Sequence, residues 1–276
     1  MAVKKIQEKS AQTEMSFLEH LEILRWHLLR AVVAILIFTV VAFVNKSFVF
    51  DTVLLACKNI DFWTYEMLCQ LSELLSLGET LCVRKLNFIL ISTDMSAQFS
   101  MHLWTSIIAG FIIAFPYIMW EMWSFLRPAL RQNEKKYSRG AVFSTSLLFM
   151  TGVLFGYYLI APLSVNFLGN YSVSEIVENK ISISSFISTV TTVTISCGLV
   201  FELPIIVYFF TKLGLLTPET MRKYRKHALV GTLVLSAIIT PPDMMSQVLV
   251  CLPLLLLYEL SVRVSHIVVK KNNARA

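Results

Sequence analysis

Charge is what this sequence has least of. Of its 276 residues, 15% are Asp, Glu, Lys or Arg and 56% are hydrophobic. Soluble globular domains carry about 25% charged and about 45–50% apolar residues. A chain this short of charge cannot surround several long apolar runs with a water-facing surface. Chemical motifs are missing too. The absence of GxxxxGK[ST] excludes a P-loop, and there is no HExxH and no Cys-His cluster among the five scattered histidines, so neither cofactor nor metal is expected. The apolar runs hold no paired acids and no Ser/His or Cys/His pair, and no enzyme is expected. The five cysteines match no metal spacing. Cys57, Cys69 and Cys82 share one loop and leave one disulfide and one free thiol open among them. The first 30 residues are charged and polar, and no small-residue cleavage site follows the first apolar run, so no cleavable leader is expected.

What is present is sequence suited to hydrocarbon. Ala31–Val44, Leu103–Trp120, a stretch opening at Ala141–Pro162, Ile181–Thr211 apart from Glu202, Ala228–Thr240 and Met244–Tyr258 are uncharged. In a bilayer the backbone must satisfy its own hydrogen bonds, so each run reads as a helix. The fold class is therefore an all-α polytopic membrane protein. Six transmembrane helices are expected at about 28–46, 102–126, 140–162, 183–211, 227–240 and 244–262, with an outer loop at 47–100. They form one membrane domain, 16–265, between tails 1–15 and 266–276. The fifth run reaches only about 20 Å against a hydrocarbon core of about 30 Å. It is read as a short span or one arm of a re-entrant hairpin.

The basic residues sort by side. Nineteen of the 24 Lys and Arg fall in the N-terminal segment, the loops after the second and fourth runs, and the C-terminal tail. Lys46, Lys58, Arg84, Lys85 and Lys180 alone fall on the other side. The positive-inside rule puts both termini in the cytoplasm. It also argues against nucleic acid as the partner of the +6 charge, because the excess is divided by membrane face and not gathered in a groove.

Local signals refine this. Ser16 and Glu19 form a capping box that opens SFLEHLEILRWHLLR, an amphipathic helix running into the first span. Gly152 and Gly156 make a GxxxG suited to close helix approach. Thr217-Pro218-Glu219 reads as an N-cap, a proline at the first helical position and an acid in the first turn. Pro116, Pro204 and Pro253 fall inside runs, where they bend helices. Pro241 and Pro242 force a turn, and Asp243 is placed to cap the sixth span. EMLCQLSELLSLGE in the outer loop reads as an amphipathic helix. Glu202 is an ionisable group at membrane depth, expected to face protein or a water-filled cavity.

Together these stretches resemble the TatC family, the multispanning subunit of the bacterial twin-arginine protein translocase. FLEHLEILRWHLLR (17–30), FPYIMWEMWSFLRPALRQNEKK (115–136), FGYYLIAPLSVNFL (155–168), GLVFELPI (198–205), GLLTPETMRKYRKHALV (214–230) and ITPPDMMSQ (239–247) carry the likeness in order. The resemblance implies six spans in a bowl-shaped arrangement in the bacterial inner membrane. It implies recognition of twin-arginine signal peptides on folded cargo and self-association. Single-span TatA/TatB-type partner subunits and export driven by the protonmotive force follow from it too.

A guanidinium forms bidentate hydrogen bonds with a carboxylate, so a reader of paired arginines needs acids on its basic face. Glu134 stands where the family has its recognition glutamate. Arg25 matches the arginine of the family's HLEELR, and Phe125 belongs to the same recognition surface. Ile23 replaces that motif's second glutamate, and Glu22 is the substitute. Glu202 matches the family's intramembrane glutamate, with an internal helix-helix hydrogen bond as the plainer reading. A small-molecule or ion secondary transporter is the alternative function, though no internal repeat accompanies the lone midplane acid.

Overall fold

The structure, a computed structural model, describes residues 17–74, 82, 86, 88–126, 138–172, 174, 178–212, 214–240 and 244–273. Ser16, Glu134 and the Pro241-Pro242-Asp243 turn lie outside them. The amphipathic segment and the first span are one uninterrupted helix, α1, Phe17–Val44. Its inward stripe runs through Ile23 and His27, half-buried, to Ala31, Thr39 and Ala42, buried. Spacings of three and four, and their sums, keep these residues on one face.

That stripe packs along α3, Ala97–Leu126, which carries Pro116 within it. The two helices run antiparallel and touch at three levels. At one end the His102 ring stacks on Phe43 with centroids 4.0 Å apart, and its Nε2 lies 3.0 Å from the Phe43 carbonyl. Midway, Gly110 lets the backbones close up: a Cβ there would sit 2.6 Å from the Thr39 amide nitrogen. At the far end His27 meets Glu121.

Between these helices the chain makes a π turn at Phe48–Leu54, a 3₁₀ turn at Leu55–Lys58, the helix α2 at Trp63–Leu74 and the strand β1 at Phe88–Ile91. The helical reading of the outer loop is thus borne out over 66–74, and α2 begins three residues earlier. Cys69 and Cys82 form a disulfide, which resolves the open pairing; Cys57 is a buried free thiol.

The third span is α4, Ser138–Phe155, a π stretch at Gly156–Ile160, and α5, Ala161–Asn170. Gly152 and Gly156 face the next span, where added Cβ atoms would lie 2.7 Å from the Cys197 carbonyl and 2.9 Å from its Cβ. The GxxxG reading therefore holds as packing. The strand β2, Asn179–Ser182, pairs in parallel with β1, Phe88 opposite Asn179. This short ladder joins the two loops on that face. Leu54, Cys57, Phe62, Tyr65, Phe88, Val165 and Phe186 are buried together beneath it.

The fourth span breaks. α6, Ile183–Val200, ends at a turn through Phe201 and Glu202, and α7, Leu203–Lys212, resumes. Pro204 has no N–H for the carbonyl of residue 200, so a continuous α-helix would leave that group unpaired. Thr217 caps α8, Pro218–Lys223, by accepting from the Thr220 amide at 3.3 Å, as the sequence predicts. α9, Arg225–Ile239, and α10, Met244–Asn273, complete the chain. Among the described residues five helical segments are long and apolar enough to cross a membrane. α9 is about 22 Å long at 1.5 Å per residue, and it stands where the short fifth span is expected.

Candidate functional site

The basic end of the α1–α3 pair gathers most of the described candidates. Glu22 and Arg25 are exposed on α1, five and two residues before His27. Phe125 is half-buried on α3, one turn after Glu121. Glu134, the fourth member, lies outside the described residues. Of the proposed recognition set, the structure therefore brings Glu22, Arg25 and Phe125 to one end of one helix pair.

It also brings in three residues that sequence reasoning missed. Tyr117 donates from its hydroxyl to Oε1 of Glu121 at 2.7 Å, and Nδ1 of His27 meets Oε2 of the same carboxylate. With the carboxylate ionised, which can only accept, both neighbours donate to it and Nδ1 of His27 carries the proton. Glu121 is 7% exposed. A buried charge needs partners of this kind, because desolvation without them costs several kcal/mol. Arg30, one turn along α1 from His27, adds a positive group near enough to act on the carboxylate. The His27 and Phe125 rings meet in a T-shaped arrangement, with centroids 6.2 Å apart.

A signal for this cluster exists in the sequence. Tyr117, Glu121 and Phe125 recur every four residues, as do Ile23, His27 and Ala31, so each trio lies on one helix face. Nothing local says that the two faces meet.

A second set of bonds braces the loop helix α8 and the start of α9 against α10. Tyr258 donates to the Met221 carbonyl at 2.7 Å, and Arg225 pairs with Glu259 at 2.6 Å. Both Arg225 and Glu259 are substantially exposed, so this pair contributes little alone. Glu219 is exposed in the first turn of α8.

Glu202 is separate from the basic end. It occupies the break between α6 and α7, where its backbone amide donates to Leu199 at 3.1 Å and its carbonyl accepts from Ile205 at 3.0 Å. The side chain is buried, and Oε1 has no hydrogen-bond partner among the described residues. An internal bond from that oxygen to another helix, the plainer reading, is not seen among the described residues.

Residues 19–253 match the family model described as Sec-independent protein translocase protein (TatC). The chain is 37% identical over 264 residues to the Sec-independent protein translocase protein TatC of Blattabacterium sp. subsp. Periplaneta americana, covering 95% of this chain and 99% of that one. It is 34% identical over 258 residues to the TatC of Aquifex aeolicus, covering 93% and 97%. Among solved structures it is similar to a crystal structure of the twin arginine translocase receptor TatC. The TM-score is 0.66 and the identity 31%, over 91% of this chain and all of the other.

Proposed function

The chain belongs to the TatC family, and from that premise we propose that it is the twin-arginine signal-peptide receptor of a Sec-independent translocase. It is a multi-pass membrane protein. In this reading residues 16–265 form one membrane domain in the bacterial cytoplasmic membrane, with both termini inside. The protein reads paired arginines on the leader of folded cargo, gathers single-span TatA/TatB-type partners and further copies of itself, and supports export driven by the protonmotive force.

The observation that carries this reading is the whole-length correspondence to solved receptors. The chemistry at the basic end agrees with it. Exposed Glu22 offers a carboxylate on a face otherwise rich in Lys and Arg, and Glu134 supplies the second acid. Phe125 offers an apolar surface for the leader beside them. Oriented guanidinium–carboxylate pairs are shorter and stronger than neutral hydrogen bonds, and Lys does not reproduce their fork. Glu202 serves as a polar contact for a partner helix within the membrane. Its unpartnered Oε1 supports that role, since a buried acceptor gains by finding a donor.

The test is crosslinking of the full-length protein in membranes to synthetic leaders that differ only in Arg-Arg against Lys-Lys. Efficient capture of the arginine leader and poor capture of the lysine leader supports the receptor reading. Equal capture of both, or saturable solute uptake indifferent to either peptide, would overturn it.

A further inference from the structure

We infer that His27 and Glu121, held by Tyr117, are positioning residues for the recognition surface. They form a strut that fixes the basic end of α1 against that of α3. The inference rests on the receptor reading above and names residues that it does not use.

The argument begins with what the strut connects. Glu22 and Arg25 project from α1 and Phe125 from α3, so their mutual placement depends on how these two helices are locked. Above the strut the helices meet through the Gly110–Thr39 backbone approach, the His102–Phe43 ring stack and the 3.0 Å contact from His102 Nε2 to the Phe43 carbonyl. The first two tolerate sliding of one helix along the other more readily than a directional bond does, and the His102 bond lies at the end of the pair away from the recognition residues. The His27–Glu121 contact is directional at both partners, and Tyr117 locks the carboxylate from its other oxygen. It is also the contact next to the binding residues, two residues from Arg25 along α1 and one turn from Phe125 along α3.

Direct capture of a leader arginine by Glu121 does not fit its surroundings. Both carboxylate oxygens are engaged, and the residue is nearly inaccessible. A leader would have to displace an existing donor from a buried acid. Glu22 is exposed and meets an arriving guanidinium without that cost. The roles therefore divide, with exposed residues touching the leader and the buried pair holding them in place. A preformed surface loses less entropy on binding, so the strut acts on affinity and not on maximal transport.

The experiment uses the full-length protein in nanodiscs and a fluorescent Arg-Arg leader peptide. Glu121→Leu and His27→Leu should each raise Kd roughly tenfold, with the saturating signal unchanged. The exchange variant carrying H27E and E121H restores an acid and a histidine in opposite places. It should bind within roughly threefold of the parent. A second readout is independent of the peptide. Nitroxide labels at Leu24→Cys and Met122→Cys, both exposed positions, should give a narrow distance distribution in the parent and the exchange variant, and a broad one in either single variant.

Single variants that bind as tightly as the parent overturn the inference, as does an exchange variant no better than the singles. Should the leucine variants fail to accumulate, Glu121→Gln decides. A Kd raised threefold or more supports the strut, and an unchanged Kd overturns it. A parent that cannot tell Arg-Arg from Lys-Lys defeats the receptor reading itself, and the distance measurement then reports separately whether the strut exists.

Discussion

Thr64 donates its hydroxyl to the carbonyl of Tyr158, ninety-four residues away in sequence. The pairing has a cause in the third span. Pro162 has no N–H to offer the carbonyl one α-helical turn before it, which is that of Tyr158. A carbonyl left open in a packed, water-poor place must find another donor. The outer loop supplies it, and Tyr65 beside it donates to the Pro162 carbonyl at 2.9 Å. A proline in a membrane helix thereby becomes the docking point for a loop.

Thr64→Val keeps the shape and removes the donor. Thr64 is 1% exposed, so the carbonyl is stranded and the change should cost about 1–3 kcal/mol. The check is thermal unfolding in detergent, with Thr64→Ser as a variant that retains the hydroxyl. A valine variant that melts with the parent would show that the carbonyl finds another donor.

Cys57 predicts an alkaline limit on stability. Burial pushes its thiol up to about 12, from a model-peptide value of 9.0. The folded protein therefore holds this proton more tightly than the unfolded chain. The stabilisation is complete below about pH 9 and is lost as pH rises toward 12, because only the unfolded thiol ionises freely in between. Tyr65, in contact through its hydroxyl with the Cys57 carbonyl at 3.1 Å, shifts in the same direction for the same reason of burial. Unfolding curves between pH 8 and 11 should fall more steeply for the parent than for Cys57→Ala. In folded protein at pH 8, maleimide should leave Cys57 unmodified even after Cys69–Cys82 is reduced.

Two glycines on one helix should respond with opposite sign to the same substitution. A Cβ on Gly152 would meet the Cys197 carbonyl at 2.7 Å, whereas one on Gly140 meets nothing within 4 Å. Gly152→Ala should destabilise by about 1–3 kcal/mol through overpacking. Gly140→Ala should be neutral or stabilise by about 0.5–1 kcal/mol, since alanine loses less backbone freedom in a helix. Melting temperatures of the two variants, measured side by side, decide it.

These cases show why some of the protein is legible in its sequence and some is not. The apolar runs announce the spans because hydrocarbon leaves the backbone one economical way to pair. Thr217 announces a cap, and Gly152 with Gly156 a close approach, because each signal is complete within a few residues. The strut is different. Glu121 reads as the polar end of an apolar run and His27 as part of an amphipathic face, and their pairing exists only once α1 and α3 align over ninety-four residues. The disulfide is of the same kind, since three cysteines in one loop allow three pairings and only the fold of α2 selects Cys69 with Cys82. The break at Glu202 lay between these extremes: Pro204 foretold a bend, but not an unpartnered carboxylate oxygen.

Charge reversal separates recognition from folding at the basic end. Glu22 is exposed, so Glu22→Lys should leave the unfolding free energy within about 0.5 kcal/mol of the parent. It should nevertheless weaken binding of an Arg-Arg leader by about tenfold or more, because a charge-assisted hydrogen bond worth about 1.5–3 kcal/mol is lost. Glu134→Lys should do the same, and export of a folded twin-arginine reporter should slow in both. Unimpaired export in both variants would remove these two acids from the site.

Glu202 allows a test in which stability and activity part company. Its Oε1 is buried without a donor among the described residues, and carrying an unmatched polar group into an apolar setting costs free energy. If that oxygen serves a partner helix, the isolated chain bears the cost and the assembled translocase recovers it. Glu202→Leu should therefore raise the melting temperature of the purified protein, by roughly 2–4 °C for each kcal/mol of relief. The same variant should lower export and weaken recovery of single-span partners in pull-downs from membranes. Glu202→Gln, which retains acceptor and donor atoms, should keep part of both activities. A leucine variant that melts lower than the parent would instead mean that the carboxylate is bonded within the chain, as in the plainer reading. The partner contact would then have to be sought on another helix.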